Sequence, residues 1–264
     1  MAPHIRTILL SVASVVVVAA VAVGGWLIVD RRAEGSGRMA IPAAALTDLP
    51  SPASPEPQRT RWTVAMLTRN VPVYDKPMTS SRIRLRLPAK TRFGSETVCL
   101  IRKAERSGGA IWYNVWLPTG PNGARGWIRV RGVRTYQVAT QLIIDLSARK
   151  LRVVREDGGV IETFPVAIGQ PAFPTPTGEF FITEKIQPVD TSGPYGAFVM
   201  ALSAYSPQLA EQPEWQGGQV AIHGTNQPQL IGQAISHGCI RMRNADVLRV
   251  NTLVKTGSPV LIKK

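Results

Sequence analysis

Near its C-terminal end the chain carries the stretch Ser236-His237-Gly238-Cys239-Ile240-Arg241, and Ile222-His223-Gly224-Thr225-Asn226 lies a short distance upstream. The chain has three histidines and two cysteines, and two of the histidines and one cysteine fall in this window. A cysteine thiol attacks only as the thiolate, and a nearby imidazole can accept its proton. The glycines permit turns that aim N–H groups at an oxyanion, and Arg241 offers a planar fork for a carboxylate. These residues favour a cysteine acyl-transfer site.

Two other interpretations of the same residues stay open at this point. A buried cysteine is often an inert packing residue, and clustered cysteine and histidine side chains often bind zinc. One cysteine and two histidines make an incomplete zinc site, which would need Asp246 or another donor supplied by the fold. Spacing alone does not decide between a nucleophile, a metal ligand and a structural thiol.

The pattern resembles the signature of the L,D-transpeptidase catalytic domain of bacterial cell walls. It consists of His223-Gly224-Thr225 and, after a gap, Ser236-His237-Gly238-Cys239-Ile240-Arg241-Met242-Arg243-Asn244-Ala245-Asp246. Two upstream segments are also similar to that family, namely Leu142-Ile143-Ile144-Asp145-Leu146 and Pro174-Thr175-Pro176-Thr177-Gly178-Glu179-Phe180. The resemblance covers about residues 139–264, and every position of the central motif is occupied.

The resemblance implies that Cys239 is the nucleophile and that His223 is the proton acceptor and donor. The residues alone do not rank His223 above His237, which then takes a supporting role. The second ring nitrogen of His223 is expected to be held by a backbone carbonyl near Gly224 or Ser236. The N–H groups of Gly238 and Cys239 are the expected oxyanion donors. The expected substrate contacts are Ser236, Arg241, Thr225, Asn226 and Asn244.

The resemblance implies a two-step acyl transfer that serves cell wall organization and cell shape. The Cys239 thiolate attacks the L-centre carbonyl of a peptidoglycan stem tetrapeptide, D-alanine leaves, and a thioester forms. An amine of a neighbouring stem's diamino acid then attacks the thioester and cross-links the third residues of two stems. No metal and no organic cofactor is expected, since the thiol and imidazole supply the chemistry. The resemblance also implies that carbapenems acylate Cys239.

Other functions are compatible with the same residues. Water attacking the thioester would make the protein an L,D-carboxypeptidase, and a different amine would make it a wall-attachment acyltransferase. A non-catalytic wall-binding protein would depend on the basic region described below.

The first sixty residues do not have the pattern of a globular domain. Residues 1–7 form a short arm, 8–29 an uncharged apolar run long enough to span a bilayer, and 30–60 a linker rich in Pro, Gly and Ser. A cleaved signal peptide is the alternative, but the apolar run continues past its small-residue site at 20–22, so we expect a retained transmembrane helix. Three arginines follow the apolar run, and by the positive-inside rule they favour a cytoplasmic location for the chain after it, namely Arg31, Arg32 and Arg38. The substrate implied by the resemblance instead places that part of the chain outside the membrane, in the cell envelope.

Residues 61–137 predict a region of short β-strands. Runs of strand-forming residues, separated by Pro and Gly, lie at 71–74, 83–87, 97–102, 111–117 and 126–130. The turn at 118–123 predicts a hairpin between the last two runs. The pattern Trp112-Tyr113-Asn114-Val115 with Gly126-Trp127-Ile128 resembles bacterial Src-homology-3-like barrels.

Positive charge is concentrated in this region. Residues 61–137 carry 15 Lys and Arg against 3 Asp and Glu, a net +12 out of +14 for the whole chain. Such a field favours polyanions. For an exported protein these are anionic wall polymers, peptidoglycan carboxylates or lipid head groups, and nucleic acid is not expected. A merely solvated basic face is the alternative. The spacing of Trp112, Trp116 and Trp127 is more typical of barrel core than of a stacking surface.

Residues 138–264 predict a mainly β catalytic domain with one helix, and the resemblance implies a β-sandwich. Strands are expected at 142–145, 151–154, 160–168, 179–184, 198–203, 219–222 and 259–262, the first two joined as a hairpin. Asn244 is expected to cap a helix that runs to about Lys255, with one apolar face of Val247, Val250 and Val254.

Cys99 lies in the apolar run Val98-Cys99-Leu100-Ile101 and is expected to be a core thiol. A disulfide between Cys99 and Cys239 is the alternative for an exported chain with two cysteines. It would remove the proposed nucleophile.

Overall fold

The computed structural model describes residues 61–210 and 217–264. The predicted arm (1–7), transmembrane helix (8–29) and linker (30–60) lie outside the described residues. Within the described ranges, no helix combines the length and the apolar character needed to cross a bilayer. This part of the chain is mainly β with few helices, as predicted, and it belongs to one compact unit.

The first part of the described chain forms a seven-stranded sheet. Its strands are β1 (Trp62–Leu67), β2 (Val71–Tyr74), β3 (Ile83–Leu87), β4 (Val98–Ser107), β5 (Ala110–Trp116), β6 (Arg125–Arg129) and β7 (Val133–Val138). Their order is β3-β2-β6-β5-β4-β1-β7. The predicted turn at 118–123 joins the antiparallel pair β5 and β6. The sequence patterns indicated neither β1 nor β7. The end of β7 was hidden because only Ala139, and no turn residue, separates it from the strand that follows.

Alternating apolar residues bury one side of this sheet. The main cluster contains Ala65, Leu67, Val71, Val73, Leu87, Cys99, Val115, Leu117 and Ile128. A second cluster holds Trp112 and Trp127 with Tyr74, and the rings of Tyr74 and Trp112 meet edge to face at 5.4 Å. The core interpretation of these two tryptophans is therefore confirmed.

Cys99 is a core thiol, as predicted. Its side chain is fully buried, and burial raises the pKa of the thiol to about 12. Both Cys99 and Cys239 are free thiols, so the alternative of a disulfide between them is wrong.

The second part of the described chain forms the larger sheet. Its strands are β8 (Thr140–Asp145), β9 (Lys150–Arg155), β10 (Val160–Pro165), β11 (Ile168–Gly169), β12 (Gly178–Ile186), β13 (Val199–Tyr205), β14 (Gln219–His223), β15 (Ala234–Ser236), β16 (Ile240–Arg241) and β17 (Pro259–Lys263). Eight of them follow the order β10-β9-β8-β17-β12-β13-β14-β16, while β11 pairs with β15. The helices are α1 (Pro207–Ala210) and α2 (Asn244–Leu253), and Pro228–Leu230 forms a 3-10 turn.

Strand β12 connects two layers of this sheet. Its first half, from Gly178 to Phe181, pairs with β17, and its second half, from Ile182 to Ile186, pairs with β13 across a register shift. Buried residues from both halves pack into one common core, among them Leu142, Ile144, Leu151, Phe180, Met200, Leu202, Val220, Ile222 and Ile240. This arrangement is consistent with the predicted β-sandwich.

Three local predictions for this region are corrected. The strand expected at 160–168 is divided into β10 and β11, and strands β15 and β16, of three and two residues, were too short to predict. Arg243 occupies the N-cap position of α2 without a side-chain cap, so Asn244 does not cap the helix. The helix ends at Leu253 rather than near Lys255, because Val254 adopts an extended backbone conformation.

The two sheets are joined by buried apolar and hydrogen-bonded contacts. Phe181 of β12 is fully buried in a cluster with Val64, Val98, Leu100 and Val138 of the smaller sheet. The Tyr136 hydroxyl donates to the Thr256 carbonyl at 2.7 Å. Asn122 donates to the Tyr205 carbonyl at 2.8 Å and accepts the Tyr205 N–H at 2.7 Å. These contacts hold the smaller sheet against the larger one.

Replacing Tyr136 by phenylalanine is expected to lower the free energy of unfolding by about 1–2 kcal/mol, because the Thr256 carbonyl loses its donor while the ring stays in place. Tyr113→Phe is the matched control, since the Tyr113 hydroxyl has no hydrogen-bond partner among the described residues. Urea unfolding of both variants measures the difference. Equal losses in the two variants would contradict a stabilising contact at Tyr136.

Candidate active site

The candidate nucleophile and base come together where β14 meets β16. These strands pair in parallel, with Ile222 opposite Ile240 and His223 opposite Arg241. Both isoleucines are fully buried in the core. Because side chains alternate along a strand, His223 and Arg241 lie on the opposite face, together with Cys239, which immediately precedes β16.

His223 is buried and held by two neighbours. Its Nδ1 lies 2.6 Å from the Gly224 carbonyl oxygen, as expected, and the Tyr195 ring packs edge-on against the imidazole at 5.0 Å. The Nδ1–H donates to Gly224, so Nε2 is the basic nitrogen. Burial, assisted by the Arg241 cation and opposed by the Gly224 hydrogen bond, lowers the pKa of His223 to about 4. The imidazole is therefore neutral near pH 7, as a general base must be.

Cys239 has a partly exposed side chain and a thiol whose pKa is raised by burial. The Ala221 backbone, hydrogen-bonded to the sulfur, and the Arg241 cation both act in the opposite direction. Near neutral pH the resting pair is a neutral thiol and a neutral imidazole, rather than an ion pair. The Ala221 N–H and the Arg241 cation stabilise the thiolate form of Cys239.

Ser236 closes the turn in front of Cys239. Its hydroxyl donates to the Cys239 carbonyl at 2.5 Å and accepts the Gly238 N–H at 3.1 Å. Gly238 has a φ of +112°, which other residues rarely adopt. Ser236 is thus buried within the loop rather than turned to a substrate, and the Gly238 N–H already has an acceptor. The Cys239 N–H has no acceptor among the described residues, which leaves it as the available oxyanion donor.

Asn244 joins two loops beside the candidate base. Its Oδ1 accepts the N–H groups of Ala197 and Thr225, each at 3.0 Å. Gly196 and Gly224 approach so closely that a Cβ atom on either would collide with that oxygen. Asn244, predicted as a substrate contact, therefore has a positioning role in this structure.

Arg241 keeps part of its guanidinium group available. Its backbone exchanges two 2.9 Å hydrogen bonds with Ala167, and its Nη1 lies 3.4 Å from Gln227 Oε1. Its buried Nε has no hydrogen-bond partner among the described residues. Of the other predicted contacts, Thr225 is buried, with its Oγ1 accepting the Gln227 N–H, and Asn226 is exposed.

His237 occupies different surroundings from His223. It is partly buried, and its ring lies 4.8 Å from that of Phe173. Within residues 61–210 and 217–264, no group of three or more His, Cys, Asp or Glu side chains is placed to hold a metal ion.

A cavity of about 300 Å³ opens at Cys239. Tyr195 and Ala221 line it, and the sequence patterns indicated neither, because Tyr195 lies in a loop without a motif and Ala221 acts through its backbone. Arg92 and Phe93, from the loop between β3 and β4 of the smaller sheet, line the same cavity.

Comparison with known proteins identifies similarity over the region that holds this site. Residues 139–262 match the model of the L,D-transpeptidase catalytic domain family called YkuD. A putative L,D-transpeptidase YkuD of Bacillus licheniformis is 35% identical over 150 residues, which is 56% of this chain and 81% of that protein. The protein of the same name from Bacillus subtilis is 33% identical over 129 residues, or 49% of this chain and 69% of that one.

Solved structures are similar as well. L,D-transpeptidase 3 from Mycobacterium tuberculosis, in complex with a faropenem-derived adduct, matches 75% of this chain and 97% of its own at 15% identity, with a TM-score of 0.41.

The pH dependence of Cys239 alkylation tests the neutral pair. With iodoacetamide, the rate is expected to rise only above the ordinary titration range of cysteine, because burial raises the thiol pKa. Arg241→Gln is expected to move the curve to higher pH, since it removes a cation that lowers this pKa. Mass spectrometry of alkylation between about pH 5 and pH 10 measures both, with Cys239→Ala as background. A reactive plateau on the acidic side would contradict the neutral pair.

Proposed function

The chain belongs to the L,D-transpeptidase family, and we propose that it cross-links peptidoglycan stem peptides through a thioester on Cys239. It is an enzyme of the acyltransferase class. One arrangement carries the proposal: a neutral His223, the Cys239 thiol and the Arg241 cation share one face at the end of two paired strands, beside a cavity.

The first step acylates the enzyme. As the sulfur of Cys239 bonds to the L-centre carbonyl carbon of a stem tetrapeptide, Nε2 of His223 takes the thiol proton. The carbonyl oxygen becomes an oxyanion that accepts the Cys239 N–H, and Arg241 contributes positive charge. When the intermediate collapses, the bond to D-alanine breaks. The departing amine takes the proton from His223, and the thioester remains.

The second step transfers the acyl group. The amine of a diamino acid in a neighbouring stem attacks the thioester carbon and gives its proton to His223, which returns it to the departing Cys239 sulfur. The product is a cross-link between the third residues of two stems. Water in place of the amine gives L,D-carboxypeptidase activity, and another amine gives wall attachment. A carbapenem would acylate the same sulfur through its lactam carbonyl.

We assign residues 138–264 to the catalytic domain and 61–137 to a Src-homology-3-like barrel. The support for the barrel is a seven-stranded sheet with its own buried cluster. We place the protein in the cell envelope, with residues 8–29 anchoring it in the membrane and 1–7 and 30–60 as arm and linker. These segments lie outside the described residues and rest on the apolar run in the sequence.

The basic barrel is proposed to bind anionic wall polymers. The edge strand β3 presents Arg82 beside it and Arg86 within it, both exposed. Arg84 is less available, because its guanidinium pairs with Asp75 at 2.8 Å and donates to the Arg125 carbonyl. The partners of the whole protein are thus stem peptides at the cavity and wall polymers at this edge.

Incubating the full chain with a disaccharide-tetrapeptide and a labelled D-amino acid tests the proposed reaction. Label incorporation with loss of D-alanine is expected, and Cys239→Ala is expected to abolish it, because no thioester can form. Mass spectrometry reads both products. Release of D-alanine without incorporation would favour the carboxypeptidase, and an inert wild-type chain would refute the enzymatic proposal.

Retention on purified sacculi tests the wall-polymer proposal. The double variant Arg82→Gln and Arg86→Gln is expected to elute at lower salt than wild type, because two exposed cations are lost from one edge. Lys150→Gln with Lys264→Gln removes the same charge from the catalytic region and serves as the control. Equal elution of both double variants would count against a specific role for the barrel.

A further inference from the structure

The cavity at Cys239 has one wall that comes from outside the catalytic region. Arg92 and Phe93 lie in the loop between β3 and β4 of the smaller sheet, yet they line the cavity together with Cys239 and Tyr195. Whatever occupies this cavity beside the sulfur therefore also meets residues of the smaller sheet.

The loop that carries this wall, residues 88–97, is stabilised by contacts between its own residues. The Thr91 N–H donates to the Ser95 carbonyl at 2.8 Å, and the Gly94 N–H donates to the Thr91 carbonyl at 3.0 Å. Lys90 and Glu96 form an ion pair at 3.3 Å across its base. Its tip is thus a hydrogen-bonded turn.

The same loop is also fixed to the catalytic region. The Thr91 hydroxyl donates at 2.6 Å to Glu184 Oε1, and Glu184 is a buried residue of β12. Arg92 follows directly. Its cation acts on the hydroxyls of Tyr195 and Tyr205, whose pKa values it lowers against the larger effect of burial. Both tyrosines belong to the catalytic region, so the charge of Arg92 reaches the cavity from the smaller sheet.

The part of the cavity wall that comes from the smaller sheet consists of a cation, Arg92, beside an apolar ring, Phe93. The Arg92 guanidinium lies over the Phe93 ring, 4.7 Å from its centroid. Phe93 keeps 53% of its surface exposed, unusual for a large apolar side chain at a fixed position. The cation offers a positive charge to a carboxylate, and the ring offers a surface for aliphatic carbons.

We propose that Arg92 and Phe93 form a subsite for the acyl donor, in which Arg92 binds a carboxylate inside the stem peptide and Phe93 packs against its aliphatic carbons. This inference rests on the proposed function, because the attacked carbonyl must lie at Cys239 and the cavity continues from there to Arg92. Arg241, two residues after Cys239, is left for groups nearer the attacked carbonyl. The smaller sheet is then part of the substrate site and not only a wall-binding attachment.

Two tetrapeptide donors test the subsite in the full chain. One has its internal carboxylates free and the other has them amidated, and both keep the terminal D-alanine carboxylate. Wild type is expected to prefer the free carboxylate about 5–10-fold in kcat/KM, as a partly exposed charge-assisted hydrogen bond allows. Arg92→Gln is expected to bring this ratio close to one, and Arg92→Glu to invert it. Arg134→Gln, an exposed arginine of β7 away from the cavity, is expected to leave the ratio unchanged.

Alkylation of Cys239 by iodoacetamide, a small neutral reagent, is expected to proceed at the wild-type rate in Arg134→Gln and to persist in both Arg92 variants, which reports an intact site. A wild-type ratio of one, or an unchanged ratio in Arg92→Gln, would overturn the subsite. If wild type transfers neither peptide, the proposed reaction fails separately. The affinities of Cys239→Ala for the two peptides, with and without Arg92→Gln, then decide the subsite without turnover.

Discussion

Ile222 and Ile240 lie opposite each other in β14 and β16, and both are fully buried in the core of the catalytic region. Because side chains alternate along strands, burying these isoleucines turns His223 and Arg241 to the other face, with Cys239 just ahead of them. A shift of one residue in the register of either strand would turn its isoleucine away from the core and its polar neighbour into it. The apolar core therefore sets the position of the reactive groups, and the Ser236 and Asn244 hydrogen bonds complete it.

The electrostatics of the site follow from burial. Removing His223 and Cys239 from water disfavours both the imidazolium and the thiolate, so near neutral pH the proton stays on sulfur. Arg241 and the Ala221 N–H favour the thiolate, and the Gly224 carbonyl holds the imidazole with Nε2 as its basic nitrogen. This balance keeps the thiol protected at rest and allows it to react when His223 accepts the proton.

The two sheets pack tightly against each other, and residues of both line the cavity. Phe181 of the catalytic region is buried among residues of the smaller sheet, and the Tyr136 and Asn122 hydrogen bonds lie on the same boundary. Apolar burial of this kind resists sliding, since every displaced side chain would leave a void. A loop of the smaller sheet can therefore serve as a fixed wall beside Cys239 rather than as a passing contact.

The sequence by itself determined the family, the mainly β class and the core thiol Cys99, and it singled out Cys239 and His223 as the candidate nucleophile and base, because these depend on short motifs and on local alternation. It did not indicate the loop hydrogen bonds in which the Ser236 hydroxyl accepts the Gly238 N–H and Asn244 accepts the Ala197 N–H, because those partners are known only once the loops are placed. Only the tertiary structure decided that Tyr195 covers His223 and that Arg92 and Phe93 reach the cavity of Cys239. Tyr195 and His223 meet within the larger-sheet region, where a loop folds back over β14. Arg92 and Phe93 meet Cys239 because the two sheets pack against each other.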